Sequence, residues 1–416
     1  MAADVSTDVI LAIFALTYVA MAVGRIPGLR TDRAGAAAVA ATLMIAVTGA
    51  SLGDAIGWID LSTLALLFGL MVLSAQFGIS GFYEYCADRI THSVGSPQRL
   101  LAITITVTAA LSAVLTNDIV TFAVPPLLCL GLVARRLNPI PHLIGLAAAA
   151  NIGSAATVIG NPQNILIGQV GQLDFWRFLA ICGPPSLISL AVVHGVICWQ
   201  WRSRWEIPEP PSGAAVVSAS ALHRWSLAKG ALILVGLLIA FGVGLPRDLA
   251  ALFAAAALFM SRRVETRALV GAVDWSLLTL FAGLFIVTGV VADLPATQDL
   301  FSNLIAAGLL PDRLSVLAPL TIFMSNTIGN VPSDILLLQV WAQPPQDALY
   351  GLALLSTLAG NLLLTGSLAN LIVAERAASV GVKLPFLAHA KAGIPITLVT
   401  SAIAAAWLWL IGVVPL

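Results

Sequence analysis

Residues 100–134 hold one charged side chain, Asp118, with Arg99 before them and Arg135 and Arg136 after. A stretch like this cannot face water along its length. The rest of the chain is built alike: 59% of residues are hydrophobic, 10% are charged and the mean hydropathy is +0.98, where soluble domains carry about 25% charged residues. A helix crosses the ~30 Å hydrocarbon core with about 20 apolar residues. Allowing for loops, 416 residues supply on the order of 10–12 crossings. The expected fold class is therefore an all-α polytopic protein of the lipid bilayer. A soluble enzyme, a nucleic-acid binder and a disordered scaffold are excluded, and a net charge of zero argues for no strongly charged partner.

The remaining charges mark the loops and give an orientation, because basic residues stay on the cytosolic side. Asp4 and Asp8 precede the first apolar run, and Arg25, Arg30 and Arg33 follow it. The N-terminus is thus expected outside and the loop before Arg33 in the cytosol. The first run has neither a basic leader nor a small-residue cleavage site, so it is expected to be a retained helix. Arg99 and Arg135 lie on the same face, and each arm between them is slightly short of a full crossing. Residues 100–134 therefore form a re-entrant hairpin with Thr116, Asn117 and Asp118 at its tip, and 141–170 form a helix broken at Gly160-Asn161-Pro162-Gln163-Asn164. The one long polar, Pro- and Ser-rich stretch, 202–225, is a cytosolic linker. It divides an N-terminal half, 1–201, from a C-terminal half, 226–416. A second hairpin is expected at about 314–342 and a second broken helix at about 348–374, with the C-terminus outside.

The two halves match in sequence. Asp60-Leu61-Ser62 resembles Asp274-Trp275-Ser276, 214 positions on. Ser112 and Asn117 match Ser325 and Asn330 at an offset of 213, and Gly160 and Asn164 match Gly366 and Asn370 at 206. On the charge-derived topology the copies run in opposite directions. Inverted repeats with discontinuous helices are characteristic of secondary transporters that bind near the bilayer midplane.

Freed backbone groups survive in a membrane only where they line a cavity. There, carbonyls with Asn and Ser oxygens can hold a cation, and half-helix N-termini can face an anion. The expected substrate- and ion-binding residues are Ser112, Thr116, Asn117 and Asp118 with Gly160, Asn161 and Asn164, and Ser325, Gly329 and Asn330 with Gly366, Ser367 and Asn370. Na+ is expected at Ser112, Asn117 and Gly160, and again at Ser325, Asn330 and Gly366. Asp118, an intramembrane carboxylate, is functional by default as a proton or cation relay. Asp334 stands behind it, because the second arm of the later hairpin can lie near the outer surface. Asp60 and Asp274 are expected to cap helices, and His194 to pack or hydrogen-bond. The four cysteines have no metal spacing and are expected to be buried small hydrophobes.

The segments LSAVLTNDIVTFAVPPLL (111–128), NIGSAATVIGNPQNILIG (151–168), SNTIGNVPSDILLL (325–338) and LAGNLLLTGSLANLIVAE (358–375) resemble the ion transporter superfamily. That group holds divalent anion:sodium symporters, citrate carriers, ArsB arsenite permeases and NhaD sodium/proton antiporters. The resemblance implies an elevator-type carrier, usually a homodimer, whose mobile part holds both hairpins. In the dicarboxylate symporters the hairpin tips read Ser-Asn-Thr; here they are Thr116-Asn117-Asp118 and Gly329-Asn330-Val331, and Ser325-Asn326-Thr327 lies four residues out of register. A carboxylate substrate ~4 Å from a charged Asp118 would be repelled by about 4 kcal/mol at an effective dielectric of 20, so such a substrate needs Asp118 neutralised.

The expected function is a secondary active transporter of a small anion, an inorganic oxyanion or carboxylate, across the cell (inner) membrane, driven by Na+ or H+. The alternative is arsenite or antimonite efflux, or Na+/H+ antiport, of the ArsB or NhaD type. No cofactor beyond the coupling ion and no nucleic-acid partner is expected. A pump is excluded by the lack of a P-loop, and an intramembrane enzyme by the lack of a nucleophile with its base.

Overall fold

The computed structural model describes residues 7–24, 30–207, 222–297, 299, 303, 311–341 and 344–416. These form helices and turns, with one isolated bridge between Leu137 and Glu206. The apolar runs become helices whose starts are set by short polar caps. The Asp60 carboxylate accepts from the Thr63 amide at 3.0 Å, and the Asp274 carboxylate accepts from Leu277 at 2.9 Å, as their places at run starts indicate.

The first half begins with α1 (Thr7–Val23), α2 (Arg33–Thr48), the short α3 (Leu52–Trp58), α4 (Leu61–Ile79) and α5 (Phe82–Thr91). A hairpin of α6 (Pro97–Val114) and α7 (Asn117–Ala134) follows, then α8 (Pro139–Ala155), a break, α9 (Pro162–Val170) and α10 (Phe175–Gln200). The second half has the same order: α11 (Arg224–Gly242), α12 (Arg247–Phe259), the short α13 (Thr266–Gly271) and α14 (Trp275–Ala292). Its hairpin is α15 (Leu314–Thr327) with α16 (Asn330–Val340). Its broken helix is α17 (Gln346–Ala359), a 3-10 turn at Leu364–Gly366 and α18 (Leu368–Ala378), and α19 (Phe386–Leu410) closes it.

The pairs α6 with α7, α8 with α9, α15 with α16 and α17 with α18 occupy 97–134, 139–170, 314–340 and 346–378. The first tip shrinks to Leu115 and Thr116, because Asn117 and Asp118 already belong to α7. Of the linker, 208–221 lie outside the described residues, and α11 starts at Arg224, two residues before the expected boundary. Arg25, used to orient the first loop, is also outside them. Among the described residues, α4, α6, α7, α10, α11, α14 and α19 are long and apolar enough to span a membrane, with α1, α2 and α15 shorter but apolar. The segments of the broken helices each fall short of a span.

Two helix pairs cross closely at glycines. A Cβ on Gly69 of α4 would come within 2.5 Å of the Ala251 carbonyl oxygen of α12, and one on Gly283 of α14 within 2.8 Å of the Ala37 carbonyl oxygen of α2. Only glycine permits such backbone approach. The pairs are equivalent, since both Gly69 and Ala37 recur 214 positions on, as Gly283 and Ala251. The hairpins and broken helices pack beside this frame, α6 and α10 on α8, α15 on α17, and α10 on α19.

Candidate binding site between the hairpin tips

A cavity of about 510 Å³ lies where the hairpin tips and helix breaks converge. Four helix starts reach it: Asn117 and Asp118 of α7, Pro162 and Gln163 of α9, Gly329 and Asn330 at the start of α16, and Ser367 and Leu368 at the start of α18. Each start carries free amides and the positive end of a helix dipole. The wall also takes in Gly24, Asp32 and Arg33 before and in α2, Asp274 and Ser276 at the start of α14, and Glu375 of α18.

The structure divides the expected residues into two groups. Asn117, Asp118, Gly329, Asn330 and Ser367 line the cavity. Ser112, Thr116, Gly160, Asn161, Asn164, Ser325, Gly366 and Asn370 lie behind it, and several of them hold the breaks in shape. Asn164 donates from Nδ2 to the carbonyls of Ser154 at 3.1 Å and Thr157 at 3.0 Å. Asn370 does the same to Gly360 at 2.8 Å and Leu363 at 3.2 Å. Each asparagine thus satisfies two carbonyls that the break frees. Asn161 caps α9 through the Asn164 amide at 2.8 Å and donates to Ser154 Oγ at 2.9 Å. Thr116 is tied to Ser74 of α4, Oγ1 to Oγ at 3.1 Å, and the Asn117 amide donates to the Gly160 carbonyl at 3.1 Å, joining the first tip to the first break.

Other groups are left open. Ser112 Oγ, Asn117 Oδ1 and both side-chain polar atoms of Asn330 are buried and have no hydrogen-bond partner. Native interiors leave few such atoms, and each calls for an explanation such as a bound ligand. Ser325 Oγ makes one long bond, 3.4 Å to the Ser356 carbonyl. Gly366 packs against Asn326, whose Nδ2 donates to the Ala359 carbonyl at 2.9 Å and whose Oδ1 accepts from Leu363 at 3.3 Å. The out-of-register Ser325-Asn326-Thr327 therefore ends α15 rather than forming the tip.

Several residues of the site were not singled out from the sequence. Arg33, used there only as an orientation marker, points its guanidinium into the cavity region, with Nη1 3.8 Å from the position a Gly329 Cβ would take. Its Nε is buried without a partner, and the ion pairs among the described residues, Asp88–His92 and Arg177–Asp347, do not include it. Asp274 is a cap as expected but also faces the cavity, so Asp118 has a neighbouring carboxylate that the sequence did not reveal. With Asp32 and Glu375 the wall carries four carboxylates against one arginine. Asp32, Asp274 and Glu375 are exposed, whereas Asp118 and Arg33 are half-buried. Asn151 and Thr357 cross between the breaks: Asn151 Oδ1 accepts from Ser367 Oγ at 3.0 Å, and Asn161 Nδ2 donates to Thr357 Oγ1 at 3.3 Å. Their 206-residue separation is the repeat offset of the breaks, which was the signal available. His194 hydrogen-bonds the Gln98 carbonyl at 3.0 Å, and all four cysteines are free.

A citrate transporter family model (CitMHS) matches residues 11–344. The chain is 33% identical over 334 residues to the inner membrane protein YbiR of Escherichia coli, covering 77% of this chain and 80% of that one. It is 27% identical over 455 residues to the silicon efflux transporter LSI3 of Oryza sativa, covering 91% and 92%. Among solved structures, the YdaH transporter of Alcanivorax borkumensis shares its fold, with a TM-score of 0.54 over 98% of each chain at 16% identity.

Proposed function

The chain belongs to the citrate transporter family, and from that premise we propose that this integral membrane transporter, which is not an enzyme, is a secondary active carrier for a small oxygen-rich anion coupled to Na+ or H+. The observation that carries the reading is the single cavity on which both hairpin tips and both helix restarts converge, the arrangement of a carrier with a midplane site. Arg33 and the helix N-termini attract the anion, the open Nδ2 of Asn330 donates to its oxygens, and the open Oδ1 of Asn117 turns to the coupling cation. Asp118 sits beside the same space and must be neutralised for the anion to bind, so the coupling cation goes there. The cation shell adds Ser112 and Gly160 on one side, and Asn330 and Gly366 on the other.

The halves are inverted copies. Support comes from matched contacts: Asn164 and Asn370 make equivalent bonds in their breaks, and the glycine crossings are equivalent. On the charge-derived topology, Arg33, Asp274 and Glu375 lie at the cytosolic end, so the cavity opens inward and both termini lie outside. Movement of the hairpins and broken helices past the frame of α2, α4, α12 and α14 would then carry the site across, as in an elevator. The cell membrane is the expected location, and a homodimer is proposed on the superfamily resemblance alone.

A second reading is favoured by the three exposed carboxylates at the cavity wall. They disfavour a dianion and suit an uncharged hydroxylated solute, such as silicic or arsenous acid at neutral pH; the name of the rice relative says that it exports silicon. Flux in proteoliposomes under separately imposed pH and Na+ gradients decides between them, with citrate, succinate, sulfate, phosphate, silicic acid and arsenite as the panel. Gradient-driven movement of a carboxylate or oxyanion supports the first reading. Movement of only silicic acid or arsenite supports the second, and bare Na+/H+ exchange with no panel solute moving overturns both.

A further inference from the structure

Asp334, one turn behind the second hairpin tip, has no exposed surface. Its Oδ2 accepts from Ser356 Oγ at 2.9 Å, while Oδ1 is buried with no partner. The surrounding hydroxyls are buried as well: Ser325, Ser333 and Ser356 are each at most 1% exposed. Ser333 Oγ donates to the Asn330 carbonyl at 2.7 Å, and Ser325 Oγ donates weakly to the Ser356 carbonyl at 3.4 Å. Ser356 thus gives its proton to Oδ2, Ser333 and Ser325 give theirs to backbone carbonyls, and Oδ1 keeps no hydrogen-bond partner among these buried oxygens.

Among the described residues no ion pair answers this carboxylate. α16 packs on α9, α14, α15 and α17. The charged groups of those elements and their caps are Asp274, Asp293, Arg313 and Asp347; Arg33 reaches the Gly329 end of α16 and Arg247 bonds the Gly168 carbonyl of α9, and neither pairs with Asp334. From α1, Tyr18 approaches, but its hydroxyl donates to the Pro332 carbonyl at 3.2 Å. A bare carboxylate at such a place is costly, and buried charges persist only when paired or neutralised. Oxygen-only surroundings suit a hard cation.

We propose that Asp334, with Ser325, Ser333 and Ser356, forms a second monovalent-cation site, separate from the cavity and linked to it through Asn330. Asn330 lines the cavity and accepts from Ser333 with its carbonyl, so occupation of the site sets the second tip. The hairpins are asymmetric in this respect. At the offset of 213, Asp118 corresponds to Val331 and Asp334 to Thr121, whose hydroxyl bonds the carbonyls of Asn117 and Asp118 instead. Each hairpin therefore carries one carboxylate, at the tip in the first and behind the tip in the second.

The inference rests on the ion-coupled carrier reading, and its test is chosen to be separable from it. Binding of radioactive Na+ to the purified full chain is measured beside infrared difference spectra of the protonated carboxyl band between about pH 5 and 9, for wild type, Asp334→Asn and Asp118→Asn. If Na+ occupies the site, Asp334→Asn loses one Na+ equivalent that Asp118→Asn keeps. If a proton occupies it, Asp334→Asn loses a pH-dependent carboxyl band that Asp118→Asn keeps. Wild-type Na+ binding together with an unchanged pH-dependent band in Asp334→Asn overturns the site, and leaves the carrier reading standing if Asp118→Asn still alters either signal. Should Asp334→Asn not fold, Ser356→Ala decides: at least a threefold loss of Na+ affinity, or a displaced titration midpoint of the band, supports the site, and neither change refutes it.

Discussion

Asn117 and Asn164 look alike in the sequence, as residues at interruptions of apolar runs, yet they do different work. Asn164 and Asn370 spend their amides on carbonyls that the breaks expose, whereas Asn117 and Asn330 keep polar atoms without partners beside the cavity. Replacing Asn164 or Asn370 with Ala strands one carbonyl, that of Ser154 or Gly360, at about 1–3 kcal/mol, since Thr157 and Leu363 still accept from the Gly160 and Gly366 amides. Both variants are expected to melt at lower temperature in detergent, as followed by intrinsic fluorescence. Asn117→Ala and Asn330→Ala should keep the wild-type melting temperature and lose transport. Arg33→Gln, which keeps the size but removes the charge, is expected to weaken substrate affinity roughly 10–100-fold, the scale of a charge-assisted hydrogen bond; the KM for whichever panel solute moves checks this. The residue types at the breaks were legible because backbone interruptions in a membrane demand polar partners. Their separate roles depend on which atoms are already bonded, and no spacing rule supplies that. Arg33 was read only as an orientation marker, the ordinary use of a basic residue at a run end, and only the fold brings it to Gly329.

The hairpins and broken helices were the most readable elements, since a polar tip between two apolar arms and a Gly-Asn-Pro interruption have few other uses in lipid. Less readable was the frame that holds them. Gly69 and Gly283 sit inside apolar runs with nothing to distinguish them from other membrane glycines, and only the approach of Ala251 and Ala37 explains them. Gly69→Val or Gly283→Val would force these helices apart at a cost of about 1–3 kcal/mol by overpacking, seen as a lowered melting temperature with Asn117 and Asn330 intact. The same frame carries a matched pair of arginines. Arg33 and Arg247 each open their helix, 214 positions apart. Arg33 is open to the cavity, while Arg247 Nη2 donates to the Gly168 carbonyl in α9 at 2.7 Å. Arg247 therefore ties a broken helix to the frame on the side away from the cavity. Arg247→Gln should loosen that tie and lower the share of molecules with the cavity open. In a cysteine-free background with Ser276→Cys, the expected readout is a several-fold slower reaction with a membrane-impermeant maleimide in inside-out vesicles.

Across the whole molecule, two runs of helices in the same order meet at one cavity, and the equivalences between them were partly visible in three short sequence matches. Those matches left out Asn151 and Thr357, which share the 206-residue spacing of the breaks but differ in residue type. The charge pattern was sufficient for the fold class and for an orientation. It was silent on the balance inside the cavity, where Asp118 and Arg33 are half-buried and the other three carboxylates are exposed. That balance is the basis of the coupling account: the interior can hold an anion at Arg33 only when a cation or proton occupies Asp118. Flux of the transported solute into proteoliposomes, under an imposed pH or Na+ gradient, compares wild type with Asp118→Asn most directly. The account expects Asp118→Asn to exchange solute across the membrane with no acceleration by either gradient, while wild type accumulates it. Gradient-driven accumulation by Asp118→Asn at the wild-type rate would contradict it.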